Sequence, residues 1–396
     1  MKPRCDDCDH AQASHTSLWL ANTNDVLMLY LPSVAGSTNS PLYWLAEHIV
    51  EALAHVFYHL GRLAGCITFN DNPANAASKR TELVWNEARR RGIPMRELVI
   101  FGKPTDHFIT TVNGRTFFFE SMPLPTDARG VSVAVDDKIS FKRLMKKHGL
   151  PVPESRGVWS LRGAQQAQRE FGLVCVKPRS GSNGRHTFPF VRHEQDLRDA
   201  YASASKLCAS VSVEEHLEGN LCRATCVDGI LVGFLESSYP TVIGDGVSSV
   251  AELVRRANAE KPDGVDDIVL SSSHRGYMHR RGYRAEDVLP DGEPLPLTYR
   301  AGRGQGGRNR EHGRDIHPSF IPLIEKAAQA TGLPIVGFDI IIPDPLAPAD
   351  SQRWGFIEAN SFPWADLHAH ALYGKAVDLA PHLWDLWTGR GTARGS

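Results

Sequence analysis

Two short segments near the C-terminus each carry a carboxylate inside an aliphatic run: Gly337-Phe338-Asp339-Ile340-Ile341-Ile342 and Gly355-Phe356-Ile357-Glu358-Ala359-Asn360. Each reads as a buried strand with an acid where the apolar pattern should continue. Side chains alternate along a strand, so Glu358 and Asn360 share one face. With Asp339 on a neighbouring strand of the same sheet, three oxygen donors converge. A few hard oxygen ligands, with room left for phosphate oxygens, suit Mg²⁺ held on a nucleotide.

Other segments carry charge in the same way. Leu173-Val174-Cys175-Val176 runs into Lys177-Pro178 and then the loop Arg179-Ser180-Gly181-Ser182-Asn183-Gly184-Arg185. Such a loop can turn sharply and aim backbone N–H groups at phosphate. It reads equally as a hairpin turn beside a snorkelling lysine. Val211-Ser212-Val213 leads into Glu214-Glu215-His216-Leu217-Glu218-Gly219, either a solvated strand end or a hinge whose backbone pairs with adenine. Residues 299–314 hold five arginines and five glycines, either a solvated loop or an anion-binding flap. An RNA-binding reading lacks interleaved aromatics.

The elements that must position these residues follow from pattern. The 396 residues have room for two or three domains. Strands are expected at 25–31, 66–69 and 97–101, with helices at 40–63 and 75–91, implying a small α/β domain over 23–130 after a polar tail, 1–22. Residues 107–122 read as a hairpin turned by Asn113-Gly114. A basic helix at 136–148, the strand into Lys177 and the hinge make one lobe, 131–216. A hairpin turned by Asp228-Gly229, a helix at 249–259, a helix at 320–331 and the two carboxylate strands make a second, 217–388, before a short tail.

Lys and Arg total 44 against 45 Asp and Glu, so the charge balance suggests neither nucleic acid nor membrane as a partner. No apolar signal region opens the chain. The seven cysteines are odd in number and scattered, which reads as reduced cytoplasmic thiols. Cys5-x-x-Cys8, followed by His10 and His15, has the internal spacing of a zinc half-site, but no second pair follows. The segment is terminal and polar, and reads as a tail.

Taken in order, these segments resemble the ATP-grasp superfamily, and more closely the ATP-grasp part of cyanophycin synthetases and bifunctional glutathione synthetases. The resemblance spans roughly 135–385. It is carried by Asp137-Lys138 and the helix ending Gly149-Leu-Pro-Val-Pro-Glu154, by Val176-Lys177-Pro178 with its loop, and by Val213 to Gly219. It continues through Arg223 with Val227-Asp228-Gly229, Val242 to Gly246, Gly306-Gly307 ahead of Ile316-His317-Pro318, Gly337 to Ile340, and Glu358-Ala-Asn360 ending in Pro363.

The resemblance implies an α+β ATP-grasp fold, two lobes clamping ATP, preceded by the small α/β domain. It implies ATP and Mg²⁺ as cofactors, with Mn²⁺ as the alternative metal. Lys138 and Lys177 would hold phosphates, with Ser180, Gly181, Ser182, Asn183 and Gly184 closing over them. Glu214, Glu215 and Leu217 would face the nucleotide, the hinge backbone meeting adenine. Asp339, Glu358 and Asn360 would hold the metal. Arg223 would act at the γ-phosphate and Arg300 beside the reacting groups, while Gly306, Gly307, Asp366 and His368 would face substrate. The implied reaction joins a carboxylate to an amine through an acyl phosphate, with small amino acids or dipeptides as partners, in specialised metabolism. A homodimer is also suggested. Neither the Mur-ligase-like domain of cyanophycin synthetase nor the γ-glutamylcysteine-forming half of the glutathione enzyme is expected within the chain.

Departures from the family pattern fall on substrate-facing positions. Leu221 stands where cyanophycin synthetases usually have a ribose-binding Asp, and Ser237 where they have Arg. Gly302 replaces an Asn, and Trp364 and Asp366 replace a Gly and an Arg. The gain of Asp366 suggests a less anionic, or cationic, substrate group. Two other outcomes remain: a kinase of the same fold, marked by ADP and a phosphorylated product, and a nucleotide-binding protein without turnover.

Overall fold

The computed structural model describes residues 5, 14–29, 56, 58, 60–124, 135–181, 184–364 and 366–388. The helix expected over 40–63 and the linker at 123–130 fall largely outside these residues.

At the N-terminus, α1 (His15–Met28) replaces the strand expected from residue 25 onward and takes in part of the expected tail. Ser14 caps it by accepting a hydrogen bond from the Ser17 amide. The reason lies in tertiary contacts. Val26 is buried, the Asn22 amide donates to Leu207 O at 2.9 Å, and the Ala209 amide donates to Thr23 Oγ1 at 3.0 Å. A polar helix face is held by side chain-to-backbone bonds rather than by apolar area.

The front region is an antiparallel meander of β1 (Ile67–Asn70), β2 (Met95–Ile100), β3 (Lys103–Val112) and β4 (Arg115–Glu120). Asn113 and Gly114 both have positive φ, as a two-residue hairpin turn of primed type requires. Helix α2 (Lys79–Arg90) packs Val84, Trp85 and Ala88 into a core shared with Phe108 and Phe117.

Next comes α3 (Lys138–Lys147), then the first lobe: β5 (Ser155–Val158), α4 (Leu161–Phe171), β6 (Val174–Pro178), β7 (Phe188–Val191), α5 (Glu194–Ala204) and β8 (Val211–Glu215). Its sheet runs β5-β8-β6-β7, all antiparallel. Helices α4 and α5 bury alanines and Leu197 against valines of the strands.

The second lobe begins with β9 (Asn220–Val227) and β10 (Ile230–Ser237), turned at Asp228-Gly229. A side layer follows: β11 (Thr241–Ile243), α6 (Val250–Ala259), α7 (Ser272–Arg280) and β12 (Pro294–Pro296). Then come β13 (Asn309–Glu311), α8 (Phe320–Thr331), β14 (Ile335–Ile342) and β15 (Gly355–Asn360). The chain described ends with α9 (Asp366–Ala369), β16 (Tyr373–Gly374) and α10 (Ala380–Thr388). The main sheet has the order β15-β14-β9-β10-β13-β16. Phe141 and Met145 of α3 and Phe320 and Ile324 of α8 pack on its inner residues Phe234, Phe338 and Phe356. Helix α10 returns to the front region, where Trp384 Nε1 donates to Val84 O at 2.8 Å.

Candidate active site

Two strands bring the acids together as expected. Asp339 on β14 pairs in register with Glu358 on β15, and Asn360 pairs with Gly337. On the other side of β14, Asp339 lies opposite Arg223 of β9. The Arg223 guanidinium donates from Nε to Asp339 Oδ1 at 2.8 Å and from Nη2 to Oδ2 at 2.9 Å. Burial raises the Asp339 carboxyl above its ordinary value, and the nearby Glu358 charge adds to this against the pull of Arg223. Two carboxylates are therefore crowded on β14 and the edge strand β15, with the Arg223 cation on the inner neighbour β9. The amide nitrogen of Asn360 is buried there without a protein partner. An all-oxygen donor set from Asp339, Glu358 and Asn360 fits a hard divalent ion.

The lysines arrive from α3 and from β6 of the first lobe. Asp137 caps α3, accepting from the Ser140 amide at 2.8 Å, which makes Lys138 the first helical residue. Lys138 Nζ donates to Gly181 O at 2.7 Å and lies 3.7 Å from Glu358 Oε2. It thus bridges the loop and the carboxylate pair. Asp137 also takes a two-pronged bond from Arg179, at 2.7 and 2.9 Å, fully buried. That pair anchors the root of the glycine loop on the helix start.

Lys177, at the end of β6, pairs with Glu214 Oε2 at 3.0 Å, and Lys142 pairs with Glu214 Oε1 at 2.9 Å. Lys142 is a residue that pattern reading passed over. Its spacing of four from Lys138 on one helix face is the signal that could have found it. Glu214 also accepts from Ser212 Oγ at 2.8 Å. Burial works against its charge, yet Lys142 and Lys177 hold it at about 2. Burial brings Lys142 down to about 8, with Glu214 opposing. Lys177 moves up, the attraction of Glu214 overcoming burial. Glu214 is thus an anion that positions two ammonium groups, and it also lines the cavity between the lobes.

The hinge is partly committed. The amides of Glu215 and His216 donate to Glu154 O and Leu173 O, and the Glu215 carboxylate is gripped by Arg353. Leu217 lines the cleft. Burial lowers His216 to about 4, so its imidazole is neutral at ordinary pH.

A cavity of about 250 Å³ runs between the lobes, walled by Lys138, Lys177, Gly181, Leu217, Asp339 and Glu358, with Leu18 and Asn22 of α1 on one side. A second, of about 460 Å³, is walled by Arg223, Asp266, Gly302, Arg303 and Gly304. Leu221 and Asp339 belong to both walls. The two chambers therefore meet at Asp339.

The remaining expected residues divide. Ser180 Oγ donates to Asp25 Oδ2 of α1 at 3.0 Å, and Gly184 O accepts from Tyr299 at 3.0 Å. Ser182 and Asn183 lie outside the described residues. Arg300 sits beside the Tyr299 ring at 5.7 Å, next to the second chamber's arginine–glycine wall. Gly306 and Gly307 stand behind that wall: a Cβ would come within 2.3 Å of Ile268 and 2.2 Å of Ser238 O. Their role is close packing rather than contact with the chamber. Asp366 has one carboxylate oxygen buried without a protein partner, and its neighbour Leu367 lines the second chamber. His368 does not face the cleft. It is wholly buried, bonded to Glu311 at 2.6 Å and Thr225 at 2.8 Å, and packed over Gly233. The expectation that His368 meets substrate is corrected by that burial.

No family model matches the sequence. Over 273 residues the chain is 30% identical to cyanophycin synthetase of Synechocystis sp., covering 66% of this chain and 31% of the relative. It is 28% identical over 290 residues to the bifunctional glutathione biosynthesis protein of Mannheimia succiniciproducens, covering 69% of this chain and 37% of the relative. The chain spans about a third of the length of these relatives. Among solved structures, a bifunctional glutathione synthetase from Pasteurella multocida superposes with a TM-score of 0.48 at 22% identity, covering 78% of this chain and 44% of that one. The sequence similarity, with two sheets facing one cleft, bears out the resemblance to the ATP-grasp region of cyanophycin synthetases and bifunctional glutathione synthetases.

Proposed function

We propose that the chain is an ATP-dependent carboxylate–amine ligase that joins small amino-acid-like substrates through an acyl phosphate, releasing ADP and phosphate. The observation that carries this reading is the meeting of two chambers at Asp339. One chamber has the lysines and the hinge of a nucleotide site; the other has arginine and glycine walls suited to a carboxylate. A phosphoryl group passed between them would cross at the Asp339–Glu358–Arg223 cluster.

Leu217 would meet adenine, and Lys138, Lys177 and the loop 179–185 would hold the phosphates. Asp339, Glu358 and Asn360 would hold Mg²⁺, or Mn²⁺, which would neutralise charge on the phosphates. Lys138 gives up Gly181 O or Glu358 to reach phosphate. Arg223 turns one prong of its fork toward the transferring group, a task that needs positioning and charge neutralisation more than covalent help. An amine then attacks the acyl phosphate and phosphate leaves.

The substrate chamber holds Asp266 beside Arg303, and Asp366 lies near its Leu367 wall. That mixture favours a zwitterionic substrate such as an amino acid or dipeptide. A dimer and a place in specialised metabolism belong to this proposal, as does a cytoplasmic setting. Among the described residues no helix is long and apolar enough to cross a membrane.

Hydroxylamine trapping tests the intermediate. With Mg-ATP and the correct acid, the protein should yield a hydroxamate together with ADP. ADP with a stable phosphorylated product and no hydroxamate would point to a kinase.

A further inference from the structure

Away from the cleft floor, Cys5, His15 and His186 bring their donor atoms within 4.8 Å of one another. Cys5 Sγ lies 3.5 Å from His186 Nε2, and the two imidazoles meet edge to face with centroids 5.1 Å apart. A tetrahedral ion with bonds of about 2.3 Å to sulfur and about 2.0 Å to nitrogen sets adjacent donors about 3.5 Å apart. The Cys5–His186 separation already has that value.

The orientation of His186 is a second, independent observation. The residue is buried, and its Nδ1 lies 2.8 Å from the Ser203 carbonyl oxygen. A bond from Nδ1–H to that carbonyl fixes the tautomer and leaves the lone pair on Nε2, the atom turned toward Cys5. Metal-bound imidazoles are oriented by this kind of outer hydrogen bond. His186 also sits at φ 48°, an uncommon backbone state for a residue with a side chain.

We propose that Cys5, His15 and His186 form a site for a divalent transition metal of the zinc class, with a fourth position open to water or another donor. The ion fastens α1 to the loop 179–187. Nitrogen and thiolate donors select this class over Mg²⁺, so the site is chemically distinct from the carboxylate cluster. Binding converts the Cys5 thiol to thiolate and releases its proton to solvent. Without the ion, α1 is held by Asn22, Thr23 and the Ser180–Asp25 bond, all further along the helix. The ion would fix its first turn. Since Leu18 and Asn22 wall the first cavity, the site controls how firmly one side of the cleft is closed. Cys8 and His10 lie outside the described residues and are no part of the assignment.

The test uses the full chain, stripped with chelator and titrated with Co²⁺ and then Zn²⁺. The expected result is stoichiometric Co²⁺ binding with tetrahedral d–d bands and a thiolate charge-transfer band, both removed by Zn²⁺. Cys5→Ser should abolish the charge-transfer band, and His15→Gln should weaken binding at least about tenfold. These two positions are used because variants of the buried His186 risk misfolding; unchanged circular dichroism controls for fold. Zn²⁺ should also slow amide exchange across 15–28 in the wild type but not in Cys5→Ser. Co²⁺ binding without a thiolate band, or equal binding by Cys5→Ser, would overturn the site and leave Cys5 and His186 as a simple hydrogen-bonded pair. Exchange indifferent to Zn²⁺ would overturn the fastening of α1.

Discussion

Arg223 and Asp339 face each other across adjacent strands and are joined by two parallel hydrogen bonds of 2.8 and 2.9 Å. The same carboxylate stands beside Glu358. If Asp339 is a metal ligand, metal and guanidinium compete for its oxygens, and nucleotide binding must loosen the fork. Arg223→Ala should therefore lower kcat by about 10²–10³-fold, the range for a lost charge-stabilising donor. Arg223→Lys should recover little, because a point ammonium cannot replace a planar fork. Steady-state rates for both variants check this; a Lys variant near wild type would show that only the charge matters.

Glu214 stands as one anion between two buried ammonium groups. Removing it leaves two cations without compensation, so Glu214→Gln should cost about 3–5 kcal/mol, as for other broken buried pairs. Lys142→Met leaves the Lys177–Glu214 pair whole and removes the ammonium that burial disfavours, so it should cost clearly less. Denaturant unfolding of the two variants measures the order.

Acid should expose the same carboxylate. Glu214 is held at about 2 in the fold against an ordinary 4.5. As pH falls through this window the unfolded chain takes up a proton that the folded chain refuses. The stabilisation is whole above about pH 4.5 and gone by about pH 2. The stability gap between wild type and Glu214→Gln should shrink across that window and stay level above it; a gap constant down to pH 2 would contradict the placement.

Leu221 walls both chambers at the position where the family resemblance implies an acid for ribose, and Glu215 is already committed to Arg353. Leu221→Asp should strengthen the preference for ATP over 2′-deoxy-ATP, read as the ratio of kcat/KM values. No change in that ratio would place the ribose elsewhere.

Asp366 has a buried oxygen without a protein partner beside the second chamber. Asp366→Ala should raise the KM of the small substrate while leaving that of ATP unchanged. An unaltered substrate KM would remove Asp366 from recognition.

The carboxylate strands, both hairpins and Lys177 were legible because each interrupts a regular apolar pattern with a turn or a charge. Lys142 was not, since a lysine-rich helix looks solvated until its partner Glu214 is placed on the neighbouring sheet. Helix α1 was misread because Asn22 and Thr23 are buried by hydrogen bonds to 207 and 209, which no apolar period announces. Strand β13 was hidden inside the arginine–glycine segment. Its order comes from Glu311, which accepts from the Phe234 and Gly313 amides and pairs with His368. That long-range network also explains why His368 matched a family motif yet lies behind the site.

The central claim is a condensation driven by ATP. The most direct test incubates the protein with Mg-ATP and single or paired amino acids, measuring ADP, phosphate and product mass together. A product equal to two substrates minus water, with ADP and phosphate in equal amounts, is the predicted result. AMP with pyrophosphate would contradict the acyl phosphate route, and ADP with a phosphorylated, uncondensed product would contradict the ligase.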